Sequence, residues 1–476
     1  MQQLIWFRND LRIHDNTALH AALQAGPSIA VFIISPGQWL AHDDAACKVD
    51  FLLRNLAALQ KSLASLNVPL LIRTADLWQQ APEVIAQLCQ EFNIGAVHVN
   101  TEYGIHESQR DATVGTLLVD QGILFHSHFD QLLFKPGSIL TQSGTYFKVF
   151  SQFKKTCYKH LYDAVPECIS TPKAQTALAI KSDPIPSNVS GFSTVSSELQ
   201  ALWPAGELVA QNRLTTFIDE TIADYLEQRD FPAQAGTSQL SAYLVAGVIS
   251  IRQCLHAALA VNQGEFDSGK QGVVTWINEL LWREFYTHIL VGYPKVSRNQ
   301  AFKEETEALA WRDAPNDLLA WQQGRTGFPI IDAAMRQLLA SGWMHNRLRM
   351  IVAMFLTKNL LIDWREGERF FMQHLIDGSL AANNGGWQWS ASTGTDAVPY
   401  FRIFNPISQS KRFDPIGDFI RRWVPELKHL SAKDIHQPKL CSGLFGTEDY
   451  PKPIVALSAS RQRALTAFKN LPSING

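Results

Sequence analysis

The sequence predicts an α/β plus all-α chain: an N-terminal doubly wound parallel five-stranded sheet domain, a long linker, and a C-terminal all-helical domain. Three observations predict it. Short apolar, β-branched runs alternate with segments of helical period up to about residue 130. A stretch rich in Pro, Ser, Ala and Thr, from Thr171 to Ser197, carries little periodic hydrophobicity. Beyond residue 204 the strand-like alternation gives way to successive helical patterns.

The strand runs are Leu4 to Arg8, Ile29 to Ser35, Pro69 to Thr74, Ala96 to Asn100 and Ile123 to Phe129. Between them, 46–66 and 79–92 place apolar residues three and four apart over lengths that suit crossover helices. Ligands on such a sheet sit at the C-terminal ends of its strands. The composition shifts divide the chain into 1–131, a linker over 132–203, and 204–476. Helical patterns in the last part cover 214–228, 239–247, 250–261, 271–290, 330–340, 343–360 and 366–375.

With 476 residues, 46% hydrophobic and 18% charged, the chain has ordinary globular usage and material for two to three domains. The net charge of −2 advertises no polyanionic partner, so any nucleic-acid site must be a local basic patch. Cys47, Cys89, Cys157, Cys168, Cys254 and Cys441 are scattered without CxxC spacing, as expected of reduced thiols in a cytoplasmic protein. No apolar stretch approaches 18 residues and the N-terminus lacks a signal-peptide pattern, so neither export nor a membrane span is expected.

Some signals mislead. GEFDSGKQ (264–271) fits GxxxxGK, but Gln271 stands where magnesium needs Ser or Thr and a helix precedes it, so a surface loop is expected. The 14 histidines show no ligand spacing, so no metal is expected. No GxSxG elbow is present.

Other segments carry chemistry. GTSQLSAYL (236–244) sets Thr237, Ser238 and Ser241 at a helix entry suited to a phosphate, or equally to an ordinary Ser N-cap. Trp276, Glu279 and Arg283 share a helix face, with Trp282 and Tyr286 alongside; the plain alternative is an i,i+4 ion pair beside core tryptophans. GWMHNRLRMI puts Asn346, Arg349 and Met350 on one side and turns Arg347 away. Asn383, Asn384, Gly385 and Gly386 precede Trp387 and Trp389 without periodicity, which suggests close backbone approach to a ligand.

These strings, with WFRNDLRIHDN (6–16), TGFPIIDAAMRQL, DWREGERFF and YFRIFNP, run through essentially the whole chain. In them the sequence resembles the photolyase and cryptochrome family, most of all the bacterial class I cyclobutane pyrimidine dimer photolyases with a folate antenna. The resemblance implies an antenna in the α/β domain and a folded-back FAD in the helical domain beside a DNA-facing cavity. It also implies the activity, that of a carbon-carbon lyase acting on UV-damaged DNA. Excited, fully reduced FAD lends an electron to a flipped-out thymine dimer, the ring splits, and the electron returns.

By the same resemblance Tyr225, Thr237, Ser238, Gln239, Leu240 and Ser241 clamp the FAD phosphates, while Trp276, Arg283, Asn346, Arg349, Asp377, Gly378 and Ser379 surround its ribityl chain and ring. Asn383 faces flavin N5, where an amide can serve either protonation state and where the repair branch, unlike plant cryptochromes, carries Asn. Glu279 and Asn346 hydrogen-bond the lesion, with Trp282, Met350 and Trp389 as apolar walls. Arg229, Arg347, Arg402 and Lys411 are the expected phosphate contacts. Trp387, Trp364 and Trp311 form the electron-transfer chain. Photolyases for (6-4) photoproducts carry histidines at the positions of Asn346 and Met350, so the cyclobutane lesion is expected.

The antenna expected is 5,10-methenyltetrahydrofolate, on His42, His106, Glu107 and Arg298. Departures from the pattern fall at His106 (for Asn), at Ser297 and Arg298 (for Cys and Lys), at Ser379 (for Asp) and at Gln239 (for Arg). A monomer, cytoplasmic and on the nucleoid when bound to DNA, is expected. Two other classes stay open: a cryptochrome-type sensor, usually marked by a long C-terminal extension for which a family body reaching about residue 470 of 476 leaves no room, and a flavin-containing nucleic-acid binder without repair.

Overall fold

The computed structural model describes residues 1–439 and 449–472; Cys441 lies outside the described residues. The described chain forms two compact units. The first comprises Met1–Ala223, Ser238–Gly292 and Ile376–Gly378; the second comprises Asp224–Thr237, Tyr293–Leu375 and Ser379–Gly476. These units are drawn by packing, whereas the boundaries at 131 and 203 follow composition.

The first unit holds a five-stranded parallel sheet of β1 (Gln2–Phe7), β2 (Ser28–Ile34), β3 (Leu70–Thr74), β4 (Ile94–Asn100) and β5 (Leu124–His128) in the order β3-β2-β1-β4-β5. β2 is buried throughout and β1 nearly so, as an apolar run covered on both faces should be. Helices Thr17–Ala25, Ala46–Ser65, Ala81–Glu91 and Ile105–Asp120 make the crossovers. Asn16 caps the first of them by accepting the Leu19 N–H at 3.0 Å. The segment expected to be linker is not all irregular: helix Phe150–Asp163 buries Phe150, Phe153, Cys157 and Leu161 within it.

Beyond β5 the chain is pinned by a buried group of charges. Asp130 accepts from Arg12 Nη2 at 2.5 Å and Arg252 Nη2 at 2.9 Å, and Asp15 accepts from Arg252 Nε at 2.9 Å and from the Ser250 hydroxyl. Helix Ile251–Val261 is thereby tied to the sheet through residues that WFRNDLRIHDN supplies. The P-loop look-alike is an ordinary loop: buried Asn262 accepts the Lys270 N–H and donates to the Glu265 and Ser268 carbonyls.

On the β4–β5 edge, His98 Nε2 donates to Gln3 Oε1 at 3.1 Å, which leaves Nδ1 to accept from His128 Nε2 at 3.0 Å, while the His126 ring lies 4.9 Å from that of His98. Burial and these two histidines hold His98 down at about 4. A depressed histidine stabilises the fold above its unfolded value near 6.5, and that stability is lost as pH falls through 6.5 toward 4. Unfolding in urea should show a loss of about 2 kcal/mol between pH 7.5 and 5, flattened in His98→Gln. An equal pH slope in parent and variant would contradict this.

The second unit is helical. Helices Pro329–Ser341, Asn346–Met354, Trp364–Met372 and Leu380–Ala391 surround a core that includes Trp321, Ile331, Leu348, Phe371 and Trp387. The helix expected over 343–360 changes character midway: Phe355–Leu360 forms a π-helical turn that ends at Leu361 with φ 55°. The segment Asn383 to Gly386, expected to approach a ligand closely, is helical, and Asn383, Asn384, Trp387 and Gln388 find buried places on that helix. A close contact within the protein falls at Gly367, where a Cβ would strike the Trp387 ring.

Candidate functional site

The candidate residues divide between the two units. In the first, the helix expected over 239–247 shrinks to Ser241–Val245, and its N-cap is Leu240, with no side-chain cap bond. An ordinary Ser cap is therefore not what holds this turn. Gln239 lies in the left-handed region at φ 49° and Leu240 follows at φ −87°, ψ −5°. Successive residues of opposite hand turn their N–H groups to one side and form a concavity for anions. Arg213 Nη1 donates to Gln239 Oε1 at 2.8 Å, so an arginine from elsewhere braces the segment in which Gln239 replaces Arg.

Helix Gln271–Gly292 carries Trp276, Glu279, Trp282 and Arg283. Trp276 is buried against Phe217, at 5.1 Å between rings, and Arg283 Nη1 donates to the Gln131 carbonyl at 2.9 Å. Trp282 stacks on Phe150 at 3.7 Å and 11°, with Phe285 edge-on at 5.7 Å and Tyr286 tilted at 5.6 Å, and stays half-buried. Sequence reading missed Glu284. It is fully buried, accepts the N–H groups of Leu133 and Phe134, and is pushed up to about 7 by burial. With Arg283 it fixes the helix to residues 131–134, and its only sequence signal is its place in WREFY. Asp377 and Gly378 are buried in this unit as well.

Two antenna candidates of the first unit, His42 and His106, meet. Trp78 N–H donates to Gln38 Oε1 at 3.3 Å, so Gln38 Nε2 is the donor to His42 Nε2 at 2.9 Å. His42 Nε2 also lies 2.9 Å from His106 Nδ1, and the two rings stack at 5.2 Å. Burial foremost, and His106 among its neighbours, hold His42 below the ordinary histidine value, while burial and Glu102 push Glu107 up to about 7. The side chains present are aromatic planes beside a carboxyl that can be neutral, a chemistry that fits a pterin.

In the second unit, His345 sets where helix Asn346–Met354 begins: its Nδ1 accepts the Arg347 N–H at 3.1 Å. Buried beside arginines, it is held at about 4 and stays neutral. Asn346 is exposed as the first helical residue, and Arg349 Nε donates to the Met344 carbonyl. Arg347 is not turned away from its neighbours. It makes a two-pronged ion pair with Asp230 at 2.7 and 2.8 Å, reaches Met350 Sδ at 3.7 Å and lies over Phe413. Arg229 lies over the Tyr225 ring, while Arg402 and Lys411 are exposed. Thr237, Arg298 and Ser379 also belong to this unit.

Asn383 is oriented. Its Nδ2 donates to the Glu368 carbonyl at 2.9 Å, which holds the amide and leaves Oδ1 and the second Nδ2 hydrogen for another partner. The amide so held still carries both an acceptor and a donor. Trp387 and Trp364 are buried, Trp311 and Trp389 are half-buried, and the helices of Trp364 and Trp387 pack together. Trp387 also meets Trp321 edge-on at 5.9 Å, an indole that sequence reading left out because nothing in its spacing distinguishes it from core.

An α/β sheet unit together with a helical unit of this kind is the fold of the photolyases and cryptochromes. The solved structures it resembles include a bacterial class III photolyase from Agrobacterium tumefaciens, 35% identical with a TM-score of 0.88 over 99% of this chain and 97% of that one. A cryptochrome from Synechocystis is 28% identical, with a TM-score of 0.86 over 98% and 99%. Residues 3–173 match the family model for DNA photolyase, and residues 276–470 match that for the FAD binding domain of DNA photolyase. Deoxyribodipyrimidine photo-lyases of Escherichia coli (strain K12) and Vibrio cholerae serotype O1 are each 44% identical over 98% of this chain, covering 98% and 99% of their own lengths. The chain belongs to the DNA photolyase family.

Proposed function

We propose that the protein is a deoxyribodipyrimidine photo-lyase: a lyase that uses light to split cyclobutane pyrimidine dimers in DNA, with FAD as cofactor and 5,10-methenyltetrahydrofolate as antenna. The observation that carries the reading is the end-to-end likeness to proteins of that name, 44% over 98% of the chain. When bound, the reduced flavin supplies a photoexcitable electron donor that recovers its electron once the ring has opened.

The chain's residues do the rest. The left-handed turn at Gln239 turns N–H groups to one side as a diphosphate needs. Asn383, its amide held by Glu368, keeps an acceptor and a donor hydrogen for flavin N5. Glu279 and Asn346 hydrogen-bond the flipped bases, and half-buried Trp282, with Trp389 and Met350, receives their apolar surface. Trp311, Trp364 and Trp387 pass electrons inward. His42, His106, Glu107 and Arg298 hold the antenna. The enzyme works as a monomer in the cytoplasm, on the nucleoid when bound to DNA.

Arg347 and Arg229 share the Asp230 carboxylate, at 2.7 and 4.0 Å, so the four cations Arg229, Arg347, Arg402 and Lys411 bring a net charge of about three to DNA phosphates. The logarithm of lesion affinity should fall with the logarithm of salt at a slope of about −3. A slope near zero would remove the phosphate assignment.

A single-turnover assay tests the function: reduced protein, an oligomer with one cyclobutane thymine dimer, and matched dark and blue-light samples. Restored thymines in the light alone are expected. A bound dimer that survives illumination would favour a sensor or a non-repairing binder.

A further inference from the structure

Gln388 follows the flavin-facing Asn383 on helix Leu380–Ala391 and is fully buried, yet no role in the chemistry requires it. Its carboxamide is used completely: Oε1 accepts the Phe302 N–H at 2.8 Å, and Nε2 donates to the Gln300 carbonyl at 3.2 Å and to Asn384 Oδ1 at 2.8 Å. The loop it grips directly follows Arg298. Each residue of that loop is held in turn. The Asn299 carbonyl accepts from Arg365 Nε at 2.7 Å, the Ala301 N–H donates to Glu307, and the Lys303 N–H donates to the Thr393 carbonyl at 2.9 Å. Glu307 in turn pairs with Arg365, the neighbour of Trp364.

A surface loop ordinarily has little to hold it. This one has its polar backbone bound to the two helices that carry Asn383, Trp364 and Trp387, and the buried hub of that binding is one glutamine.

We infer that Gln388 is a positioning residue for the antenna: by clamping 300–302 to the flavin helix it sets where Arg298 stands, and so the affinity for the folate and its geometry toward the flavin. The inference rests on the antenna reading above. Resonance energy transfer falls steeply with separation and depends on mutual orientation, so a chromophore contact built on a wandering loop would waste absorbed light.

The test compares the parent with Gln388→Leu and with Gln388→Glu, which keeps the shape and the acceptor for Phe302 but loses both donated bonds. Three quantities are read on flavin-loaded, folate-free protein: amide hydrogen exchange over 299–303, affinity for added 5,10-methenyltetrahydrofolate with its fluorescence transfer to flavin, and repair under light that only reduced flavin absorbs. Exchange should accelerate and folate affinity fall about tenfold, since each lost buried bond costs on the order of a factor of ten. Repair driven by flavin light should stay within about twofold. Should Gln388→Leu fail to fold, the Glu variant decides alone. Unchanged folate affinity and transfer despite faster exchange would overturn the inference, as would an equal loss of flavin-driven repair, which would make Gln388 a support of the flavin helix. A parent that binds no folate overturns the antenna reading itself, and the parent arm reports that separately.

Discussion

Trp387→Phe is expected to abolish light-driven reduction of oxidised flavin while leaving repair by pre-reduced enzyme within about twofold of the parent. Trp387 is 2% exposed and lies in an apolar setting, edge-on to Phe371 at 5.0 Å and to Trp321 at 5.9 Å. Phenylalanine keeps most of that packing, but its ring is far harder to oxidise than indole, so the fold survives and the electron relay does not. Absorbance of oxidised flavin under blue light, with an external reductant, measures the effect. Photoreduction at the parental rate in Trp387→Phe would end the assignment. Trp321→Phe is the companion: it removes a bond from Trp321 Nε1 to the Val352 carbonyl, and it should leave photoreduction intact if the route runs through Trp364 and Trp311.

Asp130→Ala should cost about 3–5 kcal/mol, because removing one member of a buried ion group strands the others without solvent. Asp130 is fully buried and accepts from Arg12, Arg252 and the Thr17 N–H and hydroxyl. Without it Arg12 would be left to the Asp15 and Gly247 carbonyls, and Arg252 to the Asp15 carboxylate as its charged partner. The two arginines hold Asp130 below the ordinary carboxylate value against the opposing effect of burial, the larger single influence. Its contribution is therefore present above the unfolded value of 3.8 and lost as pH falls through the lower folded one. The urea midpoint at pH 7 reads the effect, and a shift under about 1 kcal/mol would mean that water reaches the group after all. Substituting all four charged residues by apolar ones of similar volume should cost less than the single change, since no charge is then left unpaired.

The sheet was legible because its strands are apolar runs of the right length between turn signals, and every one of the five appears within two residues of its expected start. Helix Phe150–Asp163 was not, since its four buried residues are spread among lysines and polar groups in a chain segment whose later part reads as linker. Helix Leu380–Ala391 escaped for a different reason. Gly385, Gly386 and adjacent asparagines argue against a helix locally, and burial of Asn383, Asn384, Trp387 and Gln388 overrides that preference.

The sequence by itself determined the two-part architecture, the family and the residue types at each candidate position, because periodicity and long motif strings are properties of the chain alone. The tertiary structure decided what those residues are free to do. It committed one hydrogen of the Asn383 amide to Glu368, covered one face of Trp282 with Phe150, paired Arg347 with Asp230, and bound the loop after Arg298 to Gln388. Each of these partners lies far away in sequence, and which atom of a polar side chain remains available depends on which atoms its neighbours in space have already taken.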